Sequence, residues 1–228
     1  MEYKQVQQIA KDAMAYARQY ITPGMHLRDI RNICEEKMIK LGADSFWYWN
    51  VGAFVFAGDE TAVSVSGRQY VTSDKVIAPD DIITIDLSPQ IGDTWGDYAR
   101  TIIMQDGAVV TLDEITNPQW KQGLQMEEDL HHELLQFARP ETTFEELYVH
   151  INRMIEDRGF INLDFAGNLG HSIARHKDDR IYTEKGNHTH LGDVALFTFE
   201  PHISTKGSVF GYKKENIYYF ENDILREL

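Results

Sequence analysis

Cysteine is almost missing: Cys34 is the single one in 228 residues, so no intrachain disulfide can form. That fits a reducing compartment. Cys34 falls inside a predicted helix and reads as a small buried apolar residue rather than a reactive thiol. Proline is also scarce, at six residues, and low-complexity tracts are lacking, which excludes a disordered chain. No apolar run approaches the ~18 residues of a membrane span. The N-terminal MEYKQVQQIAKDAMAYARQY has neither the apolar core nor the cleavage site of a signal peptide. A cytoplasmic location is the expectation. Basic residues are outnumbered 22 to 36, for a net charge of −14. Nucleic acid and anionic membranes need basic surfaces and are excluded as partners. A small substrate is not, and part of the acidic excess could serve a cation.

What is present is globular: 43% hydrophobic residues, enough for one sizeable core. Val6, Ile9, Ala10, Ala13, Met14 and Ala17 recur at helical spacing over 2–20. Thr22-Pro23-Gly24 ends that helix, and a second is predicted over about 26–41, stopped by Gly42. FWYWNVGAFVFA (46–57) is aromatic and strand-like, and residues 61–72 alternate loosely. Further helices are predicted over 118–137, with Trp120, Leu124, Leu130, Leu134 and Leu135 inward, and within 138–159. VALFTFEPHI (194–203) and FGYKKENIYYF (210–220) read as strands.

A constant offset of 117 carries Pro23 onto Pro140, Leu27 onto Phe144, Ile30 onto Leu147 and Gly42 onto Gly159. Each of these segments precedes an acidic hairpin. Two copies cannot make a solenoid. The expectation is a single α+β domain over 1–228, with pseudo-equivalent halves of about 1–110 and 111–228 whose hairpins meet at the centre.

IITIDLSPQIGDTWGDYARTII (82–103) puts Asp86 and Asp97 into one apolar hairpin, with strands expected near 81–88 and 95–104. Asp is disfavoured in strands and costly to bury. Glu200 ends LFTFE, Glu215 sits in GYKKENI, and His171 lies between the hairpins in GNLGHSI. If the halves pair, four carboxylates and an imidazole converge. Each close ionised pair would then cost about 4 kcal/mol at an effective dielectric near 20. Divalent cations remove that cost, and an oxygen-rich set with one nitrogen suits Mn²⁺, Fe²⁺, Co²⁺ or Zn²⁺. Plainer readings stand beside this one. Glu215 could be a solvated edge charge next to Lys213 and Lys214, and His171 a satisfied polar residue.

These segments resemble the pita-bread metallopeptidases: methionine aminopeptidases, Xaa-Pro aminopeptidases, prolidases and creatinase. DIITIDLSPQIGDTWGDYARTI resembles the family's paired strand aspartates before Arg-Thr. GNLGHSI resembles Gly-His-Gly-Ile, LGDVALFTFEPHI resembles Gly-Met-x-Phe-Thr-x-Glu-Pro-Gly-Ile, and FGYKKENI resembles Gly-x-Arg-x-Glu-Asn/Asp. The resemblance covers about 20–225. It implies the pita-bread fold, an antiparallel sheet covered by helices in pseudo-two-fold halves. It implies two divalent metals, Mn²⁺ slightly favoured, on Asp86, Asp97, His171, Glu200 and Glu215. Glu221 competes for the last place, but Gly211 and Asn216 flank Glu215 in the family manner. The implied activity is hydrolysis of a C–N bond, with Glu200 also shuttling the proton, on a short-peptide or small-molecule substrate. A homodimer is a further implication, consistent with Phe46, Trp47, Tyr48 and Trp49 if these are exposed.

The chain departs from the pattern around the ligands. The family's substrate-facing histidine has no match near Val65 or Ser66, and Gly167 replaces another histidine. Asp178 stands nearest a third, so His176 is the candidate for that role; His188 and His190 read as loop residues. His202 replaces the glycine of Glu-Pro-Gly and is expected beside the metals. The segment that precedes the catalytic domain in Xaa-Pro aminopeptidases and creatinase has no counterpart, so its control of substrate length is expected to be absent. These losses point to a substrate other than ordinary peptides. The alternative is a non-hydrolytic, lyase-like metalloenzyme or an inactive binding module on the same fold.

Overall fold

The computed structural model describes residues 2–228. In the first half, α1 (Glu2–Tyr20) and α2 (Leu27–Lys40) are followed by β1 (Ser45–Phe46), β2 (Ala53–Ala57), β3 (Asp81–Leu87), β4 (Pro89–Ile91), β5 (Thr94–Trp95), β6 (Tyr98–Gln105) and β7 (Ala108–Val110). The second half repeats the plan with α3 (Pro118–Phe137) and α4 (Phe144–Asp157). Then come β8 (Phe160–Asn162), β9 (Phe197–Phe199), β10 (His202–Thr205), β11 (Tyr212–Lys213), β12 (Asn216–Glu221) and β13 (Ile224–Glu227). Every pairing is antiparallel. The largest sheet runs β2-β3-β6-β7, and β11-β10-β8 and β13-β12-β9 form two more.

The helices form where the apolar spacing predicts. α1 buries Val6, Ile9, Ala10, Ala13, Met14 and Ala17, one stripe of its surface. α3 starts at Pro118 with Asn117 as its cap, where the missing proline N–H costs nothing. α4 carries a capping box: the Glu146 amide donates to Thr143 Oγ1 (3.1 Å) and the Thr143 amide donates to Glu146 Oε2 (2.8 Å). Leu135, expected inward, is exposed. Cys34 is fully buried, which pushes its thiol up to about 12 and makes it inert.

The buried side chains fall into two main clusters. One is built by α1, α2 and β2–β6, with Ile30, Met38, Ile83, Ile85 and Met104 at its heart. The other gathers Leu130, Leu147, Ile151, Phe197 and Tyr218 from α3, α4 and the later strands. Neighbouring residues of β3 divide between them: Ile82 packs in the second cluster, Ile83 in the first. Alternation along a strand sends successive side chains to opposite faces. The offset seen in the sequence also has backbone counterparts. Leu27 N–H donates to Lys75 O (3.1 Å) and Phe144 N–H to Thr189 O (3.0 Å) at the starts of α2 and α4. Gly42 and Gly159, after the helix ends, both have positive φ.

Elsewhere the strands are shorter than the apolar runs suggest. FWYWNVGAFVFA splits because Trp49 and Asn50 adopt left-handed backbone between β1 and β2. Residues 61–72 form no strand; they follow a 3-10 turn at Gly58–Ala62, and Val63, Ser64, Val65 and Ser66 wall a cleft. VALFTFEPHI divides at Glu200-Pro201 into β9 and β10, because proline has no N–H to give the ladder.

Candidate metal centre

Asp86 lies near the end of β3, and Asp97 immediately precedes β6. Their strands pair with Asp86 opposite Ala99. The loop before β6 is held by α1: Gln7 Nε2 donates to Asp97 O (2.7 Å) and the Asp97 amide donates to Gln7 Oε1 (3.0 Å). The second hairpin is stitched to the first. Glu215 N–H donates to Ala99 O (3.0 Å), Arg100 Nη1 donates to Glu215 O (2.8 Å), and Arg100 Nη2 donates to Asn216 Oδ1 (2.7 Å). Segment 169–171 runs beside 198–200: Thr198 N–H donates to His171 O (2.7 Å) and Glu200 N–H to Leu169 O (3.0 Å). Gly170 allows that approach, since a Cβ there would sit 2.4 Å from Thr198 O.

These contacts bring the five expected ligands together. Oxygens of Asp86, Asp97 and Glu215 all lie within 4.8 Å of one another. His171 Nε2 is 3.6 Å from Asp97 Oδ2 and 3.7 Å from Glu200 Oε1. Its Nδ1 lies 3.1 Å from Ser172 O, so Nδ1 carries the proton and Nε2 presents its lone pair to the carboxylates. Burial, with help from the nearby Arg180 charge, pushes His171 down to about 3, so the ring is neutral.

The crowding shows in the protonation of the acids. Burial and then the Asp86 and Glu200 charges raise Asp97 well above the usual carboxylate range. Burial and then Asp97 and Glu200 do the same to Glu215. Glu215 is 0% exposed, so it is no edge charge, and neither of its oxygens has a hydrogen-bond partner among the described residues. A fully buried carboxylate without a hydrogen bond is costly. Its position among three more carboxylates and a neutral imidazole gives the donor set of a divalent cation site. Glu221, the competing ligand, is exposed at the far end of β12.

Lys213 also enters the cluster. Its ammonium is 2.6 Å from Asp86 Oδ2, 3.0 Å from Glu200 Oε2 and 3.9 Å from Glu215 Oε2. Burial opposes its charge, but Asp86, Glu200 and Glu215 outweigh burial and hold it protonated well above the ordinary lysine range. Lys214 points the other way and pairs with Glu128.

The cluster opens into a cleft of about 430 Å³. Trp47, Tyr48, Phe54, Phe56, Phe165 and Tyr182 give it aromatic walls. Trp47 and Trp95 stack at 4.1 Å, and each ring lies 5.8 Å from that of His171. Arg180 lies over Trp47, Tyr48 and Tyr182, and no carboxylate of the described residues is within ion-pair distance of it. His202 lines the cleft with Nε2 2.7 Å from Thr61 O, and burial lowers it to about 4.

A family model described as metallopeptidase family M24 matches residues 2–224. The chain belongs to metallopeptidase family M24. No match was found among curated proteins. Among solved structures, X-Pro aminopeptidase from Thermotoga maritima superposes with a TM-score of 0.80 at 22% identity, over 99% of this chain and 59% of that one. Prolidase from Pyrococcus horikoshii gives 0.81 at 21%, over 99% and 60%. Methionine aminopeptidase from Thermotoga maritima gives 0.75 at 18%, over 98% and 93%. The fold is therefore the pita-bread fold, and this chain spans about three-fifths of the length of the first two. No helix among the described residues is long and apolar enough to cross a membrane.

Some expectations for this M24 chain need correction. His176 does not reach the cleft: the chain turns outward into a 3-10 turn at Lys177–Asp179 and leaves His176 and Asp178 exposed. His188 and His190, read as loop residues, do lie outside it, beside Glu145 and Asp193. Trp47 and Tyr48 serve the cleft and leave only Trp49 of the aromatic run exposed. Sequence reasoning missed Lys213, Arg180 and Asp164. Asp164 lines the cleft, accepts from Ser64 Oγ (2.9 Å), and is raised by burial and the Glu200 charge.

Proposed function

We propose that this protein is a metal-dependent hydrolase that cleaves a C–N bond in a short peptide or small amide. The observation that carries this is the buried Glu215, without a hydrogen-bond partner, among Asp86, Asp97, Glu200 and His171 at the head of the cleft. The five side chains suffice for two divalent ions, and Mn²⁺ suits so oxygen-rich a set. A cation bound there supplies Lewis acidity, polarising the amide carbonyl and making water a competent nucleophile near neutral pH.

Glu200 takes the water's proton and passes it to the leaving nitrogen as the C–N bond breaks, so one water is consumed and Glu200 ends as it began. It suits that role because its side chain, 13% exposed, both faces the cleft and touches the cluster. His202, neutral and with Nε2–H directed at Thr61 O, keeps one tautomer and leaves Nδ1 as an acceptor. The aromatic walls receive an apolar substituent. Arg180, cradled by rings and free of carboxylates, receives an anionic end. Val65 and Ser66 stand on the cleft wall where the family pattern has a histidine, which supports a substrate outside the ordinary peptide range.

The test is turnover of a dipeptide library and a panel of small N-acyl amides, with Mn²⁺ or Co²⁺ and with chelator. Metal-dependent release of an amine, lost in Glu200→Gln, is expected. Metal-loaded protein that cleaves no member of either set overturns the hydrolase reading and leaves the binding module.

A further inference from the structure

The ammonium of Lys213 sits inside the ligand cluster, on one side of it. Glu200 divides its two oxygens between the sides. Oε1 faces His171 Nε2 at 3.7 Å, and Oε2 faces Lys213 Nζ at 3.0 Å. Asp97 belongs to the imidazole side, 3.6 Å from His171. Asp86 belongs to the lysine side, 2.6 Å from the ammonium. The cluster thus offers one position bounded by His171, Asp97 and Glu200, and another bounded by Asp86, Asp97 and Glu215. Lys213 reaches into the second.

This is no surface lysine that has drifted inward. Its side chain is only 18% exposed. Its backbone is clamped to β6 on both groups: Lys213 N–H donates to Thr101 Oγ1 (2.8 Å), and Thr101 Oγ1 donates to Lys213 O (3.1 Å). β11 further pairs Lys213 with His202. Lys213 and Glu215 both face the cluster, 3.9 Å apart, while Lys214 between them pairs with Glu128. A lysine ammonium is a compact point charge, close to an ion in size and sign, whereas arginine at this place would present a broad planar fork.

We propose that Lys213 is a resident cation of the cluster. It holds the Asp86 side and makes uptake of a second divalent ion conditional on the ammonium moving away. The proposal rests on the ligand set assigned above. On the His171 side, Asp97, Glu200 Oε1 and the imidazole stand clear of the ammonium, which holds Glu200 by Oε2, so the first ion enters there without displacing the lysine. A second ion meets a positive charge already bonded to its ligands, and must break the contacts to Asp86 and Glu200. The two positions are therefore unequal in affinity, and the single-ion form is the one that fills first.

Mn²⁺ titration of the chelator-treated protein, followed by calorimetry and electron paramagnetic resonance, tests this without any turnover. In wild type, one equivalent should give the spectrum of isolated Mn²⁺, with the second ion bound at least tenfold more weakly. Lys213→Met should tighten the second ion at least tenfold, so that a spin-coupled pair appears at low Mn²⁺. Wild-type protein that shows the coupled pair below one equivalent overturns the proposal, even if the variant fails to fold. A second-ion affinity unchanged in Lys213→Met overturns it too. Wild-type protein that takes up no Mn²⁺ overturns the hydrolase reading and this one together, whereas two equal ions overturn this one alone.

Discussion

Replacing Asp97 by asparagine should stabilise the metal-free protein and abolish its response to metal. The side chains of Asp86, Asp97 and Glu215 have oxygens within 4.8 Å of one another. At that distance an ionised pair repels by about 3–4 kcal/mol for an effective dielectric near 20. Asp97→Asn removes two such pairs. Proton uptake by the remaining acids already relieves part of the strain in the wild type, which limits the gain to about 1–3 kcal/mol. The backbone should not move, because Gln7 grips both the amide and the carbonyl of residue 97. For a chain of this size the gain corresponds to a rise in Tm of roughly 2–10 °C. Metal acts in the opposite sense. Wild type should gain about 2.7 kcal/mol at a hundredfold excess over Kd, and the variant close to nothing. Thermal denaturation of both proteins, in chelator and in Mn²⁺, should show the order of stability reversing. An Asp97→Asn protein that is less stable than wild type in chelator, or that keeps the full metal-induced shift, refutes the crowding account.

Other expectations follow from the same geometry. Glu127 on α3 is buried with neither oxygen hydrogen-bonded, and burial raises its carboxyl well above the usual carboxylate range. A raised folded pKa means stability is complete below about 4.5 and declines as pH rises. Glu127→Met should therefore gain about 1–3 kcal/mol near neutral pH and progressively less toward pH 4, and urea titrations giving a gap constant with pH would count against it. Arg180→Met should raise KM at least tenfold for substrates with a free carboxylate, equal to about 1.4 kcal/mol, and leave amidated analogues nearly unaffected; equal losses on both would remove Arg180 from substrate binding. Gly211→Ala would put a Cβ 2.2 Å from Thr61 O and 2.8 Å from His202 Nε2. It should cost about 1–3 kcal/mol, and an unchanged Tm would show that the 61–62 turn yields freely.

Much of this was legible in the sequence where one physical signal dominates. Apolar periodicity marked α1 and α3, and Pro118 marked where α3 begins. The acidic cluster was visible because Asp86 and Asp97 are expensive in an apolar hairpin without a compensating charge. Signals that depend on the partner were harder to read. The apolar run at 194–203 looks continuous until Pro201 meets a ladder that needs an N–H. His176 looked near enough in count to His171, but the 3-10 turn after it carries the chain outward. Lys213 and Lys214 read as one charge run beside Glu215. The fold separates them, Lys213 turning to Asp86 and Lys214 to Glu128. What hid Lys213 was the habit of placing lysine in solvent, which fails where carboxylates more than offset its burial.

The stacked pair of Trp47 and Trp95 has a practical consequence. Their indole N–H groups are fixed, donating to Gly96 O (3.0 Å) and Ala174 O (2.8 Å), so neither ring can turn away from His171. Two of the four tryptophans in the chain therefore sit against the one imidazole of the cluster. The protein carries its own optical reporter. A paramagnetic ion reaching His171 should quench their emission while a closed-shell ion such as Zn²⁺ should not, and filling of the imidazole side becomes visible without a label.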